Sequence, residues 1–168
     1  MRDMHPHLQV KSTSSDAFLE SIISAIESVG CNEYFSNHIG QSQSDQKAIV
    51  AKFQRAICSA LESNISSVKW ELEYSPSKPN RDSIDIFGSN ETTVVAIELD
   101  KHRADQVAKK FVSRVAILPE TKVYFISLCY PGTANMSKPE TIKYFGYCAN
   151  LANRMNNVYA GFTVEAKT

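Results

Sequence analysis

The chain lacks net charge: 18 lysines and arginines offset 18 aspartates and glutamates over 168 residues. Without excess positive charge it does not coat nucleic acid by bulk attraction, so an anionic partner must be met by a local patch. Cysteine pairing motifs are missing too. Cys31, Cys58, Cys129 and Cys148 stand far apart, with no CxxC or Cys/His spacing. That argues against a zinc site, and more strongly against a disulfide framework. Cys58 and Cys148 fall among apolar helix positions, where free cysteine behaves as a small hydrophobe, and a reducing, cytoplasmic setting is the expectation. No apolar run approaches the roughly 18 residues of a membrane span, so no membrane partner is expected. The opening MRDMHPHLQVKSTSSD has no apolar signal core. Internal repeats, low-complexity tracts and a zinc-finger or helix-turn-helix readout motif are also absent.

What is present fits one soluble domain at 16–168, preceded by a flexible polar tail at 1–15. Leu19, Ile22, Ile23, Ile26 and Val29 mark one face of a helix that Ser14, Ser15 or Asp16 can cap and Gly30 can end. Ser42 or Ser44 opens a second helix, with Ile49, Phe53, Ile57 and Leu61 on its core face. Val68–Tyr74 alternates as a half-buried strand, the run from Ser75 to Asn80 turns, Ser83–Phe87 is a second strand and Thr92–Leu99 a third. Short turns between them imply an antiparallel meander. Ala104, Val107, Ala108, Phe111, Val112 and Val115 then form a helical stripe that ends before Pro119. Lys122–Tyr130 is nearly continuous apolar sequence, as expected at a sheet centre. Ser137, Pro139 and Glu140 open a last long helix, and Val158–Val164 closes as a strand. The expected class is α/β: a mixed central sheet with a three-strand antiparallel meander, a helical crossover and helices on both faces.

The densest chemistry lies between Arg81 and Arg114, which reads RDSIDIFG, a turn, TTVVAIELD and KHRADQVAKKFVSR. Glu98 and Asp100 are two apart on a strand, so their side chains leave the same face. Asp85 on the neighbouring strand approaches Glu98 across the hairpin. Three carboxylates at a strand end are costly to desolvate without a compensating cation, and they suit a hard ion such as Mg²⁺ or Mn²⁺. Such an ion would activate water and stabilise charge on a phosphoryl oxygen. The same residues also support a plainer reading, in which Asp100 caps the next helix and Asp82 and Asp85 are hairpin-edge polar groups.

Asp85 in SIDIFG followed by Glu98 in AIELD resembles the PD-(D/E)xK nuclease superfamily, which includes restriction endonucleases. That family's core of helix, three antiparallel strands, helix and strand is matched in order by about 44–130 here. The resemblance implies a restriction-endonuclease-like fold and Mg²⁺-dependent cleavage of phosphodiester bonds, with DNA as the expected nucleic acid. It also implies that Asp85 and Glu98 hold the metal with the Leu99 carbonyl. Asp100 stands where the family's lysine would fall, so Lys101 is the nearest candidate to activate water. Strict alternation turns Lys101 to the opposite face, and a solvated first-turn lysine is the alternative. Dimeric action in such nucleases makes a homodimer the expectation by analogy.

Arg103 and Gln106 on the following helix are candidates for the scissile phosphate or a metal-bound water. Lys109, Lys110 and Arg114 are candidate backbone-phosphate contacts. Glu71 or Glu73 can join the acidic cluster. Tyr144, Phe145, Tyr147 and Tyr159 offer either base-stacking surfaces or core. His38 and His102 show no evident partner in the sequence. Two rivals stand beside the nuclease: the same fold with an inactive site, serving nucleic-acid or protein binding, and an ordinary α/β protein whose acids only cap helices and form ion pairs.

Overall fold

The computed structural model describes residues 3–76, 82–119, 121–132 and 136–165. The expected turn at 77–80 and Arg81 lie outside the described residues. The elements are β1 (His7–Lys11), α1 (Ala17–Glu27), α2 (Asn32–Phe35), α3 (Gln43–Asn64), β2 (Lys69–Tyr74), β3 (Ile84–Ser89), β4 (Thr93–Lys101), α4 (Ala104–Ile117), β5 (Lys122–Tyr130), α5 (Lys138–Arg154) and β6 (Val158–Thr163). Six strands form one sheet in the order β1-β6-β5-β4-β3-β2. The meander β2-β3-β4 is antiparallel, β4-β5 and β5-β6 are parallel, and β1 closes one edge antiparallel to β6. The class is therefore α/β with a mixed open sheet. Among the described residues no helix is long and apolar enough to cross a membrane.

Local chemistry sets the helix starts. Asp16, Ser42 and Ser137 each accept a hydrogen bond from a first-turn amide of α1, α3 and α5, satisfying donors that a helix leaves open. Strand β5 is buried from Val123 to Cys129, because parallel neighbours on both sides require helices over both faces. One apolar layer packs α1, α2 and α3 against Ile86, Val95, Ile97, Ile126 and Phe162. The other packs α4 and α5 against Phe87, Val94, Ala96, Phe125 and Tyr159. Each large side chain sealed in this way contributes about 1.5–3 kcal/mol. Gly161 is needed for the second layer: a Cβ there would sit 2.4 Å from the Phe145 ring.

Several expectations change. The stretch 1–15, expected as a flexible tail, holds β1, which pairs His7 with Thr163 and Lys11 with Ala160. The open edge of β6 supplies backbone partners that the short sequence HLQVK, apolar only at Leu8 and Val10, does not announce. Tyr159 is fully buried, donates to Ser127 Oγ at 2.8 Å and packs against Phe111 and Phe125, so it is core and offers no base a surface. Phe145 is likewise sealed. His38 is buried between the Phe35 and Pro131 carbonyls, and His102 is buried rather than solvated. All four cysteines are free and buried.

Candidate functional site

The carboxylates gather where β3 and β4 meet the start of α4. The ladder pairs Ile86 with Ile97, and one step further Asp85 stands across from Glu98. Asp85 Oδ2 accepts from the Leu99 amide at 2.8 Å, so its side chain spans the two strands in place of a ladder bond. Alternation along β4 sends Glu98 and Asp100 toward α4, and Leu99 and Lys101 toward α3. Lys101, Asp85 and Leu99 line a cleft of about 600 Å³, together with Glu73, Gln54 and Lys110. The turn of Lys101 away from Glu98 therefore brings it to the wall of this cleft, where it is half-buried. Glu98 and Asp100 lie behind the wall, with Glu98 only 3 % exposed.

Helix α4 supplies the counter-charges. Arg114 Nε donates to Glu98 Oε1 at 2.7 Å, and its Nη1 lies 3.6 Å from Asp82. The Lys110 ammonium lies 3.2 Å from Asp100 Oδ2 and 3.5 Å from the Leu99 carbonyl. The expectation that Lys110 and Arg114 present a phosphate-binding face is corrected here. Both turn inward onto carboxylates, because Val107 and Phe111 set the buried face of α4 and positions 110 and 114 share it. Arg103, near Asp105 at 3.7 Å, and Lys109 remain on the exposed side. Gln106 is half-buried, with its amide 3.5 Å from Asp105.

Charge does not balance within this cluster. Three ionised carboxylates would face two cations. Burial first, and the charge of Asp85 second, push the Glu98 carboxyl up to about 9 against the opposing pull of Lys110 and Arg114. A proton on Glu98 restores neutrality. Burial works against the Lys110 charge, but Asp100, Glu98 and Asp85 outweigh it and hold the ammonium above the usual lysine range. Glu98 Oε2 is buried without a hydrogen bond, and Asp100 Oδ2 has only the Lys110 ion pair.

The donors Asp85, Glu98, Asp100 and the Leu99 carbonyl are hard oxygens, which fit a hard divalent cation in kind. Among the described residues, however, no three His, Cys, Asp or Glu side chains stand arranged to hold a metal ion. Lys110 stands against Asp100 and the Leu99 carbonyl, and Arg114 against Glu98. Sequence reasoning missed that inward turn, although positions 110 and 114 lie three and seven residues after Val107 and the spacing carries the signal. It also placed Glu73 only loosely. Glu73 adopts φ 53°, which breaks the alternation of β2 and puts its side chain in the cleft with Asp85. Comparison with protein-family models, curated proteins and solved structures returned no match.

Proposed function

We propose that the chain is a metal-dependent nuclease with a restriction-endonuclease-like core, cleaving phosphodiester bonds in DNA. The order α3, β2-β3-β4 meander, α4 crossover and parallel β5 supports that core assignment. One observation carries the chemistry: the buried Glu98 carboxyl stands against Asp85 at the ends of adjacent strands, and no other described residue donates to its Oε2. Two carboxyls this close share a proton or take a cation, and a divalent ion would replace that proton. On this reading Asp85, Glu98 and the Leu99 carbonyl hold Mg²⁺ or Mn²⁺. Asp100 keeps Lys110 in place. When bound, the ion would polarise a phosphoryl oxygen and acidify a water. Lys101, expected to orient or activate the attacking water, lines the cleft beside Asp85 and Leu99. Its ammonium would also face a phosphate entering the cleft.

The test is cleavage of plasmid and single-stranded DNA across a Mg²⁺ and Mn²⁺ titration, wild type beside Glu98→Ala. Metal-dependent cleavage by the wild type, falling at least about 10³-fold in the variant, is the expected outcome. A second reading has its own observation: Arg114 and Lys110 already neutralise Glu98 and Asp100. That arrangement favours an inactive member of the fold that binds nucleic acid or protein. Metal-induced stabilisation without cleavage would select it. No response to metal at all would leave an ion-paired α/β domain.

A further inference from the structure

The cleft holds one carboxylate that the acid cluster does not use. Glu73, the penultimate residue of β2, has its backbone in the left-handed region at φ 53°, which a side chain of this size rarely adopts. The ladder pairs Leu72 with Ile86 and Tyr74 with Ile84, so Glu73 stands opposite Asp85. Its Oε1 accepts from Gln54 Nε2 at 3.0 Å, and its Oε2 accepts from Ser83 Oγ at 3.2 Å. Gln54 is buried on α3, and the same amide nitrogen donates to the Asp85 carbonyl at 2.6 Å. One carboxamide therefore fixes the distance between Glu73 and the Asp85 backbone. Each Glu73 oxygen keeps a free lone pair after these bonds, and the side chain is solvent-exposed. The charged and titratable groups lining the same cleft are Asp85, Lys101, Lys110, Lys47 and Tyr130.

Resting on the nuclease reading, we propose that Glu73 is the general base for the attacking water and Gln54 the residue that positions it. Water forms the new P–O bond through its oxygen and passes one proton to the Glu73 carboxylate. The bond from phosphorus to the leaving sugar oxygen breaks, and that oxygen takes a proton from solvent. Glu73 then returns its proton to solvent. Backbone strain aims the acid, and the buried amide keeps it aimed.

Steady-state cleavage at saturating Mg²⁺ tests this with Glu73→Gln, Glu73→Ala and Gln54→Met. Glu73→Gln is expected to lower kcat by about 10²–10⁴-fold with KM little changed. Formate should restore part of the lost rate in Glu73→Ala, which a structural role would not allow. Gln54→Met should lower kcat less, by about tenfold. In the metal-free protein the Gln54 side-chain amide resonances should shift in Glu73→Gln, reporting the bond without reference to turnover. Unchanged kcat in Glu73→Gln, or a raised Mg²⁺ midpoint with full rate at saturation, overturns the assignment while leaving the nuclease intact. A wild type that does not cleave removes the nuclease reading, and this assignment with it.

Discussion

From Val94 to Ile97, β4 is sealed between two apolar layers, whereas from Glu98 to Lys101 it carries three charged side chains beside Asp85, Lys110 and Arg114. Both stretches share one uninterrupted parallel ladder with β5. In the first stretch the neighbours care about volume, since the cost of a change follows the space it leaves. In the second they care about charge, because each group is stable only while the count of cations and carboxylates stays balanced. A strand can thus be rigid throughout and still respond to entirely different perturbations at its two ends.

The largest effect should come from upsetting that balance. Arg114→Ala leaves the carboxylates with the Lys110 ammonium alone, and is expected to cost about 3–5 kcal/mol in urea unfolding at neutral pH. Replacing both partners, Glu98→Gln with Arg114→Met, should return most of that loss. If the single variant unfolds like wild type, charge does not govern this end of the strand. At the apolar end, Ile97→Ala should cost about 2–5 kcal/mol through the cavity it opens, with the same dependence of stability on pH as wild type. A graded effect, spread over several pH units and set by pH alone, belongs to the Glu98 proton. Its folded value, about 9, lies above its ordinary 4.5, so the folded chain binds a proton that the unfolded chain has released between those limits. The stabilisation is complete below about 4.5 and is lost as pH rises toward 9, at up to about 1.4 kcal/mol per pH unit for one proton. Glu98→Gln should flatten this slope, and a slope that survives the substitution would assign the proton elsewhere.

Much of the architecture was legible because apolar spacing reports it directly. The stripes of α1 and α3, the buried run of β5 and the Ser137 cap of α5 reappear at their expected places, whereas on α4 only Val107 and Phe111 of the expected stripe are buried and Val112 is exposed. Strand β1 was not legible, since its two apolar residues, Leu8 and Val10, are too few to set it apart from the polar segment around it and its pairing is dictated by β6. Within the site, period-two spacing placed Glu98 and Asp100 together, and the short β3–β4 connection placed Asp85 across from Glu98. The inward turn of Lys110 and Arg114 was misread because charge suggested solvent, while their phase relative to Val107 pointed to the sheet. Glu73 was named only together with Glu71, because a single left-handed residue is settled by its surroundings and not by its own preference.

The order of the chain has a kinetic consequence for the acid cluster. Asp85 and Glu98 lie on adjacent antiparallel strands and can meet through a short local connection, but their cations come from the crossover helix. Parallel pairing with β5 requires that helix to be made and docked, a longer closure that is intrinsically slow. Arg114→Ala is therefore expected to accelerate unfolding while leaving the folding rate nearly unchanged, and a chevron analysis would show it. A slowed folding limb would mean that α4 docks early. On the expected course the carboxylates come together in water and are the last part of the strand to be dried.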